Sequence, residues 1–325
     1  MNANIRRALL AAALGLATIG PAGAQGSTFP SKALRFVVPY PPGGIGDTMA
    51  RELAQALAPR LGQPVLVDNR PGASLRIGAE AVAKAPPDGH TIFLGSLSAM
   101  VLNTYALKQL SYDPVKDFAP VSMFFSTPLF LVAHPSVPVR DVAGLVQHAR
   151  ANPGKLNYGS LGSGSSLHLS AEMFKAATGT FMVHIPYKGS APALTDLMAG
   201  EIQLMFDAGS SSLPHVRAGK LRVLGVTSAR RVPGTPDVPA IAETVPGFEA
   251  AFWFALFVPA GSPAAAIERL SAEVNEVLRT PALRDRYRND GVEVFGSTPA
   301  ELAARMQADG PKWVAIQKRA GVQPE

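Results

Sequence analysis

The residues best able to do chemistry in this sequence are short glycine- and serine-rich runs, each placed directly after an apolar, strand-like run. Tyr40-Pro41-Pro42-Gly43-Gly44-Ile45-Gly46-Asp47 follows the first, Asn69-Arg70-Pro71-Gly72-Ala73-Ser74 the second and Gly95-Ser96-Leu97-Ser98 the third. Further on come Gly159-Ser160-Leu161-Gly162-Ser163-Gly164-Ser165-Ser166, Tyr187-Lys188-Gly189-Ser190 and Asp207-Ala208-Gly209-Ser210. Glycine lets a backbone approach a ligand closely, and the N–H groups at the start of a following helix attract an anion. Gly43-Gly44 and Ser160 to Ser166 carry this pattern most fully. Any α/β protein needs tight strand-to-helix turns of the same composition, so a single such loop is equally well a turn. Asp207 ends an apolar strand where a pocket would open. It either meets a donor, from the loop backbone or a ligand, or opens the turn into the next helix.

Other chemistries lack their residues. Gly162-x-Gly164 has no third glycine at dinucleotide spacing, and no Gly-Lys-Ser/Thr ends a phosphate-binding loop. No Gly-x-Ser-x-Gly elbow occurs, and His168, two residues past Ser166, reads as a helix residue that caps or packs. His90, His134, His148, His168, His184 and His215 show no metal-ligand spacing, and the chain has no cysteine. Neither a metal nor a cofactor is expected. A pI near 9.6 could point to nucleic acid, but the basic residues are dispersed, the longest clusters being pairs such as Arg230-Arg231.

The elements that must position these loops alternate in type. Strand-like runs cover Leu34 to Pro39, Val65 to Asp68, Thr91 to Leu94, Leu156 to Tyr158, Met182 to Ile185, Ile202 to Phe206 and Leu221 to Val226. Helical runs lie between them, as in Met49, Leu53, Leu57 and Leu61, with Asp47 as an N-cap and Gly62 as a stop. Gly179, Gly200 and Gly219 follow other helical runs. This is the rhythm of an α/β protein with mostly parallel sheets flanked by helices, and ligands of such sheets bind beyond the carboxyl ends of the strands. Two extended, aromatic-rich segments, Ser122 to His134 and Glu249 to Pro259, break the rhythm where the chain would cross between lobes. The expected division is one discontinuous lobe, 25–127 with 253–325, and a second lobe, 128–252, with the ligand cleft between them.

Residues 1–24 read as an export signal cleaved before Gln25. Arg6 and Arg7 are followed by an apolar run from Ala8 to Ile19, and Ala22-Gly23-Ala24 supplies the small-x-small cleavage pattern. Removing 24 of the 325 residues leaves 301, and the loss of Arg6 and Arg7 lowers the formal charge from +6 to +4. With 17% charged and 47% apolar residues, two packed domains are expected, and the destination is the periplasm.

The motifs in their order closely resemble the solute receptors of tripartite tricarboxylate transporters, the Bug proteins. The matching segments include Phe36 to Gly44 with Asp47, Asn69 to Ala73 with Ile77-Gly78-Ala79-Glu80, and Pro87-Asp88-Gly89. Tyr112-Asp113-Pro114, Asn157-Tyr158-Gly159-Ser160, Pro186 to Gly189 and Met205-Phe206-Asp207 continue the match. The resemblance implies a two-lobed fold of the type 2 periplasmic-binding-protein kind, closing by a hinge on a carboxylated solute. That solute would be a dicarboxylate, a tricarboxylate, an aromatic carboxylate or an acidic amino acid, passed to integral-membrane transporter subunits. Relatives that report to a sensor kinase are the alternative, and a hydrolase on the same scaffold is a third reading. Candidate contacts from the first lobe are Pro42, Gly43, Gly44, Asp47, Ser74, Ser96 and Ser98; from the second, Ser160, Ser163, Gly164, Ser165, Tyr187 and Asp207. Where the family often has Gly-Gly-x-Ile-Gly, this chain has Ser74-Leu75-Arg76-Ile77-Gly78, so Arg76 is either a second counter-charge for the ligand or a surface residue pointing away. A monomer that binds no nucleic acid is expected.

Overall fold

Runs rich in Val, Leu, Ile and Phe pack well on a pleated surface and form the strands. Several intervening helices end at a glycine in the left-handed region, where a Cβ would be strained. The computed structural model describes residues 29–319 and residue 324. The expected export signal therefore lies outside the described residues.

The first half of the chain forms β1 (Leu34–Val38), α1 (Ile45–Leu61), β2 (Val65–Asn69), α2 (Arg76–Ala83) and β3 (Thr91–Ser96). A π-helical turn, Ser98–Leu102, then runs into α3 (Asn103–Ala106), and β4 (Phe118–Ala133) follows. Next come α4 (Val142–Ala151), β5 (Asn157–Ser160), α5 (Ser166–Thr178), β6 (Val183–Pro186), α6 (Ser190–Ala199), β7 (Leu204–Ala208), α7 (Gly209–Arg217) and β8 (Arg222–Val226). The chain closes with β9 (Ala251–Pro259), α8 (Ala264–Leu278), α9 (Pro281–Arg288), β10 (Glu293–Val294) and α10 (Pro299–Arg319). Gly62, Gly179 and Gly200, with φ of 68°, 62° and 84°, end α1, α5 and α6. The expected N-cap of α1 is corrected. Gly44 holds that position, and Asp47 sits within the first turn and accepts from the Gly43 N–H at 3.1 Å.

Two parallel blocks, β2-β1-β3 and β7-β5-β6, are joined in the strand order β2-β1-β3-β9-β4-β7-β5-β6. The joints are antiparallel, because β4 and β9 run through the middle of the molecule in opposite directions. Phe118 to Pro128 of β4 pairs with β9, whereas Leu129 to Ala133 pairs with β7 on one side and residues from Phe130 onward pair with β8 on the other. One strand thus belongs to both lobes of a mixed α/β, two-lobed fold.

The core forms two clusters, of which the larger spans both lobes. Leu34, Phe36, Leu53, Leu57, Leu270 and Val274 bury the faces of β1, α1 and α8 against one another. A larger cluster runs from Phe93 through Phe130, Tyr158 and Phe206 to Phe252 and Trp313. The last helix, α10, ties onto this second cluster. Its Trp313 ring lies 5.4 Å from that of Phe252, and Gln317 Nε2 donates to the Leu102 carbonyl at 3.1 Å. The indole Nε1 of Trp253, in β9, donates to Asp309 Oδ2 at 2.7 Å, and Arg305 donates to the same oxygen.

Trp253→Phe keeps the ring volume close and removes one donor from a carboxylate that is only 4% exposed. The expected loss of unfolding free energy is about 1–3 kcal/mol. Urea denaturation followed by circular dichroism checks this, and an unchanged midpoint would assign the Trp253–Asp309 bond no part in holding α10.

Candidate functional site

Four helices begin at one place. The carboxyl ends of the strands in both blocks point toward the middle of the molecule, so the turns after them meet across the space between the lobes. Gly44, Ile45 and Gly46 at the start of α1 line an enclosed cavity together with Ser165, Ser166 and Leu167 at the start of α5. Ser190 opens α6, Ala208 is the N-cap residue of α7, and both face the same cavity. The N-caps of α1, α6 and α7 make no side-chain hydrogen bond to their helices, so these starts keep donors that a ligand can use. Each helix has at least nine residues, long enough for aligned peptide dipoles to make its N-terminus electropositive.

The remaining walls are apolar. Leu75, Leu129, Leu161, Phe252 and Phe254 surround the polar rim, with Tyr40 held over it by its hydroxyl bond to Ser96 Oγ at 2.9 Å. Among the described residues no lysine, arginine or histidine lines this cavity. An anion held here is therefore held by amide N–H groups, hydroxyls and helix dipoles, the arrangement of a binding site more than of a charge clamp.

Contacts between the lobes narrow the cavity. The Ser166 N–H donates to Ser98 Oγ at 2.9 Å across the cleft. Gly189 is packed so tightly on Pro41 that a Cβ there would lie 2.1 Å from Pro41 Cγ. A Cβ on Gly164 would lie 2.2 Å from that of Ala106, and one on Gly162 would lie 2.7 Å from Ser74 Oγ. The lobes are closed on one another, and three glycines make that approach possible.

Of the residues singled out by the sequence, Gly44, Ser98, Ser165 and Asp207 line the enclosed cavity. Ser74, Ser163 and Tyr187 line a more open space beyond Leu75 and Leu161, which face both. The others sit behind these walls. Gly43 and Asp47 are bonded to each other, Ser96 supports Tyr40, and Ser160 Oγ accepts from the Gly162 N–H at 3.1 Å. The Gly164 N–H donates to His168 Nδ1 at 3.0 Å, and Pro42 is exposed. Arg76 lines neither space. Its guanidinium donates to the carbonyls of Ala73 and Gln109, because the kinked Ala73–Leu75 segment turns the start of α2 toward that loop. Ser166 and Ser190 lie in the glycine- and serine-rich runs of the sequence but are absent from the candidate contacts, although each is the first residue of a helix after a strand. Thr127, Leu129, Phe252 and Phe254 come from the crossing strands, and their period carries no mark of which faces meet a cavity.

The ionisable groups fall into three environments. Burial opposes ionisation of Asp47, but hydrogen bonds from Arg51, Asn69 and the Gly43 N–H outweigh it and leave its pKa lowered. This carboxylate fixes the loop that presents Gly44. Burial, with His184 and Lys175 adding to it, holds His168 down to about 3. The neutral ring is therefore free to accept the Gly164 N–H and to stack on His184 at 4.2 Å. His184 Nε2 in turn lies 2.5 Å from Ser160 Oγ. Ser160 is wholly buried and already bonded within its own loop, so this serine–histidine contact braces the loop. Asp207 is the third case. Burial pushes its carboxyl up to about 7, against the Ser190 hydrogen bond and the neighbouring Ala208 N–H, which favour ionisation.

A family profile described as tripartite tricarboxylate transporter family receptor matches residues 49–322. The UPF0065 protein in the tcbD-tcbE intergenic region of Pseudomonas sp. (strain P51) is 38% identical over 314 residues, covering 96% of this chain and 93% of that protein. The structure of R. palustris Rpa4515 with adipate superposes with a TM-score of 0.88 at 37% identity, over 91% of this chain and all of that one. That of the periplasmic binding protein BugD gives 0.87 at 32% identity, over 91% of this chain and 100% of its own.

Two substitutions test this geometry. Gly189 has φ 174° and ψ 173°, extended backbone that alanine adopts freely, so Gly189→Ala tests the closing contact without backbone strain. Overpacking of about 1–3 kcal/mol falls only on the closed form, so affinity for a solute bound by closure drops about 10- to 100-fold while the melting temperature without solute stays unchanged. Calorimetric titration and thermal denaturation read the two quantities, and an unchanged affinity would show that Gly189 and Pro41 do not meet in the bound form. Asp207→Asn tests the buried carboxyl. Between pH 3.8 and about 7 the unfolded chain gives up a proton that folded Asp207 keeps, so wild-type stability falls as pH rises, by up to ~1.4 kcal/mol per pH unit. The variant escapes this loss, so its melting temperature gains on wild type from pH 4 to 7 and levels off above; a constant difference would place the carboxyl in its ordinary range.

Proposed function

The chain belongs to the receptors of the tripartite tricarboxylate transporter family, the Bug proteins, and on that premise we propose that it captures a small carboxylated solute by hinge closure and hands it to integral-membrane transporter subunits. The observation that carries the reading is the convergence of four helix N-termini on one enclosed cavity between two lobes. A carboxylate satisfies donors that water would otherwise have to satisfy, and the apolar walls bury the rest of the molecule. The adipate in the structure of R. palustris Rpa4515 supports a carboxylate as the solute.

Closure follows from the division of labour between the lobes. One lobe, 25–127 with 253–325, presents the start of α1, and the other, 128–252, presents the starts of α5, α6 and α7. A solute docked on either lobe lacks the other's donors until the cleft shuts, so binding favours the closed form by the difference in contacts. The mature protein starts at Gln25 after export, acts in the periplasm as a monomer and performs no turnover. Among the described residues no helix is long and apolar enough to cross a membrane. A sensory role for the same cavity would use the same closure and differ only in the partner that reads it.

A solute that binds only the folded protein raises its apparent stability, by about 2.7 kcal/mol at a hundredfold excess over Kd. A thermal-shift series of adipate, citrate, benzoate and glutamate, each at millimolar concentration, is expected to contain at least one stabilising carboxylate. Arg76→Ala is expected to leave that shift in place. Absence of any shift across the series would overturn the carboxylate reading.

A further inference from the structure

The cavity contains one group that carboxylate capture leaves unused. Asp207 has no exposed surface and stands on the second-lobe wall at the end of β7. Its Oδ1 accepts from Ser190 Oγ at 2.7 Å, while its Oδ2 is buried with no hydrogen-bond partner. Native proteins rarely leave such an acceptor unmatched, because a buried oxygen without a donor carries the full cost of its lost hydration. Leu129, Leu167 and Phe252 share the wall, and no described side chain donates to Oδ2.

The same oxygen limits what the solute can present. Once the pH exceeds about 7 and Asp207 is ionised, a second ionised carboxylate beside it would meet a like charge in a space that no described cationic side chain lines. A plain hydrocarbon end would leave the acceptor unmatched. A hydroxyl at that end donates to Oδ2 and needs no counter-charge. Resting on the receptor function proposed above, we infer that the solute is a monocarboxylate with an apolar body and a hydroxyl remote from the carboxylate, and that Asp207, steadied by Ser190, receives this hydroxyl. The helix N-termini then hold the single charge, and Asp207 reads the far end of the molecule. Sites that match a buried acceptor to a ligand hydroxyl discriminate strongly against the analogue that lacks it.

The test is calorimetric titration at pH 7.5 of wild type, Asp207→Ala and Asp207→Asn with two probe series: hexanoate, 6-hydroxyhexanoate and adipate, then benzoate, 4-hydroxybenzoate and terephthalate. In at least one series the wild type is expected to bind the hydroxylated acid about tenfold or more tightly than both companions. Asp207→Ala should abolish that preference. Asp207→Asn places an amide donor where the acceptor stood and should shift the preference toward the dicarboxylate. Circular dichroism melts establish that each variant is folded; if the alanine variant is not, the wild-type ranking and the asparagine variant decide. Equal wild-type affinity for hydroxylated and unsubstituted acids, or a hydroxyl preference that survives both substitutions, would overturn the inference and leave the receptor reading standing. Binding of a dicarboxylate above its hydroxylated companion in every series that binds would do the same. Failure of all six acids to bind would overturn the receptor reading and this inference together.

Discussion

Everything in this molecule hangs on the continuity of β4. Its first eleven residues belong to one lobe's sheet, paired with β9, and its last five to the other's, between β7 and β8. Because the two blocks are joined through hydrogen-bonded strands rather than a loose linker, each lobe's loops are aimed at the other's. The cavity exists where these two sets of strand ends converge. The crossing strands also contribute its apolar wall through Thr127, Leu129, Phe252 and Phe254. A strand that spans two sheets can twist but cannot slide, so closure is confined to a rotation about the crossing. The last helix adds to this restraint, since Trp313 packs on β9 while Ile316 lies beside Met173 and Phe248 of the other lobe.

Much of this was legible in the residues. Apolar runs ending in glycine and serine located the strands and the loops after them, and left-handed glycines marked the ends of α1, α5 and α6. The two aromatic-rich segments that broke the rhythm turned out to be β4 and β9. Their antiparallel pairing was not visible, because strand direction depends on how distant segments meet and leaves no trace in local pattern. Within the site, the small residues at the starts of helices were the readable part. Arg76 was ambiguous for a physical reason: three consecutive residues with positive φ, Ala73, Ser74 and Leu75, redirect the chain just before it, and none of them is a glycine that would announce the turn.

The electrostatics of the cavity separate two tasks usually given to one arginine. In the proposed reading, holding a negative charge falls to backbone N–H groups, whose positions are fixed by the helices that carry them, and recognising the remainder of the solute falls to side chains. Among the described side chains that line the cavity, Asp207 alone is a carboxyl group. Ionisation of Asp207 is opposed by burial and favoured by Ser190 and the Ala208 N–H, so its charge responds to small changes in its surroundings. Asp47, by contrast, is tied by three partners outside the cavity and serves the shape of the loop.

Main-chain donors have a further property: no point substitution other than one to proline removes them. A gene that encodes this architecture can alter the side chains facing the cavity and still encode a pocket ringed by the same N–H groups, provided the glycines at the cleft stay small. Duplicated copies are then free to drift toward new solutes one side chain at a time, each intermediate remaining a working binder of something. The scaffold conserves the charge it accepts and leaves the identity of its cargo open to selection.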